Sequence, residues 1–311
     1  MMLANRLRKK QKQLSKWTRK NNLQAFRLYE KDIPEYPVIV DCYGEYAIVW
    51  IYTRTKDETD EEIQAFEEDV IENISQGLAL DHEHIVLKKQ RRQSGQQSKN
   101  YKTNKTIVVE EQGLKYEINL YDYLDVGLFL DHRNTRQMVR ELAHGRKVLN
   151  LFAYTASFTC NAIEGGAFET DTVDLSNTYN KWAERNFELN DFVVNDQHQI
   201  LKYDCLEFLK LAQSSRYKYS LIICDPPSFS NSKNRGKTDF SVVDDQVELI
   251  TRCLSLLSTN GILIFSTNYR NYELNESLYS EKATITNITN QTLPHEFRNR
   301  KIHQCWEFIK K

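Results

Sequence analysis

Short apolar segments alternate with segments of helical period along the C-terminal part of the chain. From about residue 131, runs of five or six mostly apolar residues are separated by stretches whose apolar positions recur every three or four residues. The runs predict strands at 147–152, 170–174, 199–203, 219–224 and 261–266. The stretches predict helices at 133–143, 158–163, 181–189, 206–211 and 244–257. Alternating strands and helices form a parallel, doubly wound sheet, so we expect an α/β fold.

The last two apolar segments break this alternation. Residues 285–293 and 302–309 are joined by a short link rather than by a helix, which predicts an antiparallel pair of strands. The sequence therefore predicts a mostly parallel, seven-stranded sheet with a terminal antiparallel hairpin.

The N-terminal part has a different order of elements. Residues 3–21 have the pattern of a basic helix, 36–40 and 46–52 predict a hairpin, and 57–74 predicts a second helix. Further strands are expected at 84–87, 106–109 and 114–119. We expect three parts: a basic helical arm (1–32), a small strand-strand-helix-strand-strand α+β accessory domain (33–125), and the α/β domain (126–311).

Composition and charge suggest a partner. The 311 residues are 40% hydrophobic and 27% charged with a net charge of -1, which indicates a folded chain, and no apolar run approaches the length of a membrane span. Residues 1–22 carry eight basic side chains and no acid, and residues 88–105 carry seven and no acid. Each run alone is typical of a solvated surface. Together with Arg298, Arg300 and Lys301 they favour nucleic-acid binding through the arm and the accessory domain over a membrane surface.

Cysteine and histidine patterns argue against a metal site. The six cysteines form no C-x-x-C pair, and the seven histidines form no H-x-x-x-H pair. We expect reduced, buried thiols in a cytoplasmic protein. The basic N-terminus is followed by no apolar core, so we expect no signal peptide.

Polar residues follow three of the predicted parallel strands, where such a sheet binds its ligands. Asn150 begins a turn of mostly small residues, and Asp174 follows 24 residues later, near the spacing at which a carboxylate receives ribose hydroxyls. Asp204 ends the third strand and could accept a hydrogen bond from an adenine amine. Structural alternatives remain open, because small residues often end buried strands and Asp204 precedes a helix as an N-cap does.

The fourth strand ends in the most specific motif, Asp225-Pro226-Pro227-Ser228-Phe229. Two prolines can continue neither a ladder nor a helix, so they predict a rigid turn that directs Asp225 and Phe229 into the crevice. This arrangement is typical of S-adenosylmethionine-dependent methyltransferases that act on nitrogen. We assign Asp225, Pro226, Pro227 and Phe229 to the catalytic site.

The chain resembles the RlmK-type half of the bifunctional RlmKL family of 23S rRNA methyltransferases, which methylates guanine N7. The resemblance covers nearly the whole chain and rests on residues 4–7, 34–36, 122–125, 127–133, 150–152, 173–176, 182–186, 225–233 and 298–306. It implies a class I (Rossmann-like) methyltransferase domain, S-adenosyl-L-methionine as cofactor and cytoplasmic 23S rRNA as substrate. The other half of that family, a THUMP domain joined to a guanine-N2 methyltransferase, has no counterpart here and would be missing or a separate partner.

The expected cofactor site lies at the strand ends. Asn150, Asp174 and Asp204 are the main candidates, and Arg133 is a weaker one near the methionine end of the cofactor. The full set also includes neighbours of these residues and the motif aspartate: Phe152, Tyr154, Thr155, Leu175, Cys205 and Asp225. No metal is expected in this set.

One position departs from the family pattern. Tyr154-Thr155 is followed by Ala156, where the family has glycine. If this position needs a left-handed backbone, the methyl group costs roughly 1 to 2 kcal/mol and weakens cofactor binding.

The reacting atom has alternatives. Guanine N7 carries a free lone pair and needs no general base, whereas methylation of cytosine C5 requires a cysteine nucleophile, and residues 265–268 contain none. Methylation of guanine N2 or cytosine C5, and an RNA-binding module with a vestigial methyltransferase site, are the competing hypotheses.

Overall fold

The computed structural model describes residues 1–52, 58–89, 103–213, 218–230 and 240–311. The chain divides into two compact units, one of residues 1–130 with 295–298 and one of residues 131–294 with 299–311. Most of the second basic run, and the end of the 225–233 segment, lie outside the described residues. Within the described part, no helix is both long and apolar enough to cross a membrane.

The first unit combines two long helices with two small sheets. Its elements are α1 (Met2–Lys20), β1 (Ala25–Glu30), β2 (Val38–Tyr43), β3 (Tyr46–Ile51), α2 (Asp60–Leu78), β4 (Ile85–Lys89), β5 (Thr106–Glu111) and β6 (Leu114–Asn119). Strands β1 to β4 form one sheet in sequence order, antiparallel except for the β3–β4 pair, and β5 and β6 form a separate hairpin. Helix α2 begins with a capping box between Thr59 and Glu62.

The N-terminal helix belongs to this unit rather than to a separate arm. Leu3 and Leu7 are fully buried in the core with residues of α2 and β1 to β3. At Gly77 an added Cβ would lie 3.0 Å from the Ala4 carbonyl oxygen, so glycine lets the two helices approach closely. Strand β1, which falls inside the expected arm, is also part of the sheet. The division at residues 32 and 125 therefore differs from the units of the structure.

The second unit carries the predicted alternation of strands and helices. Its elements are α3 (Arg133–Leu142), β7 (Lys147–Leu151), α4 (Ser157–Glu164), β8 (Glu169–Asp174), α5 (Asn177–Leu189), β9 (His198–Lys202), α6 (Cys205–Ala212), β10 (Tyr219–Cys224), β11 (Phe229–Ser230), β12 (Phe240–Ser241), α7 (Val242–Leu256), β13 (Leu257–Thr267), β14 (Ala283–Asn287), α8 (Thr289–Thr292) and β15 (Gln304–Lys310). The expected strand at 285–293 is thus shorter and is followed by one helical turn.

The strand order confirms the predicted fold class. The seven strands lie in the order β14-β15-β13-β10-β7-β8-β9, and β15 runs antiparallel to both of its neighbours. The other pairs are parallel. The chain adds β8 and β9 on one side of β7 and then places β10 on the other side. The order therefore reverses between β7 and β10, and the carboxyl ends of these two strands frame the expected ligand crevice.

Candidate active site

The turn after β7 has an unusual backbone. Phe152, Tyr154 and Ala156 have φ values of 54°, 52° and 62°, in the left-handed region that residues other than glycine rarely adopt. Ala156 is fully buried, and its carbonyl accepts from the Cys160 N–H in the first turn of α4. The position where the family has glycine is therefore left-handed here, which is the condition under which the Ala156 methyl group is expected to cost free energy.

Hydrogen bonds from neighbouring elements hold this turn. One oxygen of Asp174 accepts from the Tyr154 N–H at 2.9 Å, and the other accepts from the Ser176 N–H at 2.8 Å. The Asn186 amide donates to the Thr155 carbonyl at 2.9 Å. Burial raises the pKa of Asp174, and the two N–H donors offset part of that rise. An ionised carboxylate has about four acceptor positions, so Asp174 keeps capacity for ribose hydroxyls.

Asn150 lies buried at the end of β7. It is 1% exposed, and its amide donates to the Thr159 hydroxyl at 2.9 Å, which also accepts from Thr172 at 3.0 Å. The side chain therefore joins β7 to α4 beneath the turn. It supports the backbone of the expected cofactor site.

Asp204 and Cys205 lie where β9 leads into α6. Asp204 caps the helix by accepting from the N–H groups of Leu206 and Glu207 at 3.0 and 3.2 Å. The Cys205 sulfur accepts from the Phe152 N–H at 3.2 Å, and its pKa is raised well above the ordinary value by burial and by the nearby Asp174 and Asp204. The ends of β8 and β9 thus meet the left-handed turn at one edge of the sheet.

Two further candidates flank this edge. Leu175 directly follows Asp174 and is partly exposed. Arg133 begins α3 and is 1% exposed, so its guanidinium lies inside the unit rather than on the surface.

Two polar side chains lie against the Asp225 carboxylate at the end of β10. Its Oδ1 accepts from the Ser266 hydroxyl at 2.6 Å, and its Oδ2 lies 3.3 Å from Nε2 of His132. Its side chain is 24% exposed. Because Cys224 pairs with Leu151 in the parallel ladder, Asp225 and the left-handed turn leave adjacent strands at the same level.

The two prolines and Phe229 complete the motif. Pro226 is buried and Pro227 is exposed. Phe229 is 62% exposed and contacts Tyr269 edge to face, with ring centroids 5.9 Å apart. The Ser228 hydroxyl donates to the Asn268 side chain at 2.6 Å, which ties the motif to the end of β13. An exposed ring on a fixed backbone suits stacking of a planar base.

Sequence reasoning missed a buried histidine pair beside Asp225. His132 and His303 stack with centroids 4.5 Å apart and planes 6° apart, and Nδ1 of His303 lies 3.0 Å from Oδ2 of Asp131. Asp131 and His132 lie within the 127–133 segment that carries the family resemblance, which was the available signal. Asp131, His132 and His303 place side-chain atoms that could bind a metal within 4.8 Å of one another. Stacked parallel rings direct their nitrogen lone pairs along parallel lines rather than at one point, so the arrangement fits hydrogen bonding better than metal ligation.

The strand ends fit S-adenosylmethionine. Asp174 has acceptor positions that ribose hydroxyls could use, and Asp204 lies at the next strand end. The backbone of the left-handed turn after β7 lies close to both. The acceptor groups at this edge are of the kind that the adenosine part of this cofactor requires.

Comparisons with known proteins agree with this assignment. The family model for S-adenosylmethionine-dependent methyltransferases matches residues 40–287. "Ribosomal RNA large subunit methyltransferase K" of Neisseria meningitidis is 43% identical over 306 residues, which are 98% of this chain and 86% of that protein. The K/L proteins of Marinomonas and Vibrio cholerae are also 43% identical, but the chain spans only 42% and 43% of their lengths.

Solved structures share the fold. A methyltransferase, SMU.776, in complex with SAH superposes with a TM-score of 0.78 at 25% identity, covering 100% of this chain and 81% of that one. A methyltransferase from Streptococcus mutans gives a TM-score of 0.77 at 24% identity, over the same shares of the two chains. The relatives and the family model confirm the resemblance inferred from the sequence, and the family model and the SAH complex confirm the cofactor. The chain belongs to the family of S-adenosylmethionine-dependent methyltransferases.

Proposed function

We propose that this protein transfers the methyl group of S-adenosylmethionine to N7 of a guanine in 23S rRNA. The observation that carries the proposal is the arrangement at the end of β10. There Asp225, which accepts from Ser266 and lies 3.3 Å from His132, and the exposed Phe229 flank two prolines beside the left-handed turn after β7. The substrate class is supported by the relatives named as large-subunit rRNA methyltransferases.

The chemistry at N7 asks little of the protein. When bound, the cofactor supplies a methyl group on a sulfonium, which an unprotonated N7 lone pair can accept without a general base. The base becomes cationic as it is methylated, and the Asp225 carboxylate supplies a fixed negative charge for that change. Orientation of well-placed reactants contributes roughly 7 to 11 kcal/mol in such reactions.

Phe229 is the proposed platform for the base. Taking a guanine out of its RNA stack costs roughly a few kcal/mol of stacking free energy, and stacking on a new aromatic ring recovers part of that cost. The ring of Phe229 is exposed and braced by Tyr269, so it can receive a base without first moving.

The carbon-methylating alternative is disfavoured by the thiols at this edge. Cys224 precedes Asp225 and is fully buried, and burial raises its pKa well above the ordinary value, as it does for Cys205. A nucleophilic cysteine needs a lowered pKa and access to the base. Neither thiol meets these requirements.

The organisation of the active form is part of the proposal. The Neisseria relative is named methyltransferase K and is matched over most of its length, which supports action without a fused guanine-N2 methyltransferase half. The K/L relatives leave open a separate partner with that activity. An rRNA substrate would place the reaction in the cytoplasm.

The test is transfer of labelled methyl from S-adenosylmethionine to 23S rRNA that lacks the modification, followed by aniline cleavage at N7-methylguanine. We expect label in the RNA and one new cleavage site. Label without cleavage would move the target to another atom, such as guanine N2. RNA binding without label and without cofactor binding in calorimetry would favour the vestigial module.

A further inference from the structure

A buried array of side chains stands behind the aspartate of the proline motif. His132 precedes α3, is 5% exposed, stacks on His303 and contacts the edge of Phe158 at a centroid distance of 5.6 Å. These contacts fix the plane of its ring. A fixed ring fixes the direction in which each ring nitrogen points.

Both ring nitrogens of His132 have partners. Nδ1 lies 3.4 Å from the Thr135 hydroxyl, and Nε2 lies 3.3 Å from Oδ2 of Asp225 and 3.9 Å from Oδ2 of Asp131. An ionised carboxylate only accepts hydrogen bonds, whereas a hydroxyl can donate. The partners therefore select the tautomer with the proton on Nε2.

The surroundings favour the neutral ring. Burial lowers the pKa of His132, and the nearby carboxylates of Asp225 and Asp131 offset only part of this, while His303 and Arg136 lower the pKa further. A neutral ring at neutral pH has a single N–H. Of the two carboxylates near that N–H, Asp225 is the closer, at 3.3 Å against 3.9 Å for Asp131.

Asp225 has few other restraints. Pro226 and Pro227 fix the backbone after it, but among the described residues the carboxylate accepts one hydrogen bond, from the Ser266 hydroxyl to Oδ1. Without the donor at Oδ2, the carboxylate could turn about its χ2 torsion. Its orientation toward a base in the crevice thus depends on His132.

We propose that His132 is a positioning residue whose Nε2–H holds the Asp225 carboxylate in the orientation that receives the target base, with His303 and Asp131 holding the imidazole in place. The inference rests on the proposed function for the identity of the base and deepens it at Asp225. His303 bridges Asp131 and the Thr292 hydroxyl, at 3.0 and 2.9 Å, and so anchors the outer side of the stack.

The first test needs neither substrate nor cofactor. In protein labelled with [15N]histidine, the His132 resonances, assigned by their loss in His132→Gln, are expected to show the neutral Nε2–H tautomer at pH 7. They should stay neutral as the pH falls through 6.5, the ordinary value for histidine. In Asp225→Ala the Nε2–H signal should shift. An Nδ1–H tautomer, or a charged ring at pH 7, would overturn the proposal.

The second test separates positioning from folding. His132→Leu keeps the approximate volume but removes the donor, and we expect kcat to fall by about 10- to 100-fold with KM for S-adenosylmethionine nearly unchanged. His132→Gln can place an amide N–H near the Nε2 position and should recover most of that loss. The exposed His144→Leu is the matched control and should leave kcat unchanged.

A double variant asks whether His132 acts through Asp225. In single-turnover reactions, adding His132→Leu to Asp225→Ala should cause no further loss, because the group being positioned is already gone. Additive losses would contradict the proposal, as would equal loss in the Gln and Leu variants accompanied by weaker cofactor binding. Failure of the proposed function would instead appear in the wild type, as methylation at another atom or no methylation. The tautomer measurement does not depend on methylation, so it tests the positioning role separately.

Discussion

Ala156 places a methyl group in a backbone conformation that glycine adopts freely. Its φ of 62° and ψ of 26° lie in the left-handed region at the start of α4. Ala156→Gly should relieve about 1 to 2 kcal/mol of strain and lose somewhat less than 1 kcal/mol through greater freedom of the unfolded chain. We expect a net gain in unfolding free energy of up to about 1 kcal/mol and cofactor binding that is equal or tighter, measured by urea denaturation and calorimetry.

A matched control lies in the same helix. Ala162 is fully buried inside α4 with ordinary helical geometry, so Ala162→Gly should lose about 1 kcal/mol. Equal losses in both variants would show that position 156 gains nothing from glycine.

Asp225 is the residue on which the proposed reaction depends most. Asp225→Ala removes the charge beside the proposed base and should lower kcat by about 100-fold or more, with RNA affinity nearly unchanged. Filter binding and single-turnover methyl transfer measure the two quantities. Asp244→Ala, an exposed aspartate in the first turn of α7, is the control. Full turnover by Asp225→Ala would remove Asp225 from the mechanism.

Some residue roles were out of reach of the sequence. Lys88 belongs to a basic run that predicted RNA contact, yet it is 7% exposed, donates to the Tyr123 carbonyl, and burial lowers its pKa to about 8. Asn150 likewise bonds within the unit. Composition shows how many charges a segment has, but only packing decides which of them face solvent.

At the scale of elements, α1 carries two kinds of cation. Arg6 and Lys10 pair with Asp32, whereas the outer cations at 8, 9, 12, 16, 19 and 20 are exposed and have no acidic partner among the described residues. Positions 8, 12, 16 and 20 are four residues apart, so they form one row along the helix. This row belongs to the exposed part of the first basic run that has no acidic partner among the described residues.

Neutralising the row should weaken RNA binding through its salt dependence. For Lys12→Gln, Lys16→Gln and Lys20→Gln combined, the slope of log K against log salt should become shallower by about 2 to 3, since each phosphate contact contributes roughly 0.7 to 0.9. Filter binding at several salt concentrations measures the slope. The same change at exposed Lys181, Lys202 and Lys282 is the control. An unchanged slope would place RNA contact elsewhere, for example in the basic run outside the described residues.

At the scale of the whole molecule, the chain returns to its first unit near its end. Residues 295–298 belong to that unit, and Asp32 joins them to α1, because it bonds to Arg298 at 3.0 Å and to Arg6 at 2.5 Å. Its side chain is 1% exposed. Burial alone would raise the pKa of Asp32, but the bonds from Arg6 and Arg298 and the charge of Lys10 outweigh it and leave the pKa below its ordinary value of 3.8.

A lowered pKa means that the ionised carboxylate stabilises the folded state. This contribution is fully present above pH 3.8 and is lost as the pH falls through the lowered value. Asp32→Asn should therefore reduce the unfolding free energy by about 1 to 3 kcal/mol at pH 7, and the difference from wild type should shrink below pH 3.8. Urea unfolding at both ends of this range measures it, with exposed Asp81→Asn as the control. A difference that is constant with pH would contradict the charge argument.

The sequence by itself determined the α/β class, the order of strands and helices in the second unit, the family and its cofactor. It could do so because apolar periodicity reflects local structure, and because the two prolines of the motif are compatible with neither a strand ladder nor a helix. Tertiary structure alone decided that β1 joins the first sheet, since buried Arg27 breaks its apolar pattern and its guanidinium bonds to Asp41 on the neighbouring strand β2. It also decided that residues 295–298 return to the first unit and that His132 meets Asp225. Contacts between residues far apart in sequence leave no periodic pattern, so only the folded chain reveals them.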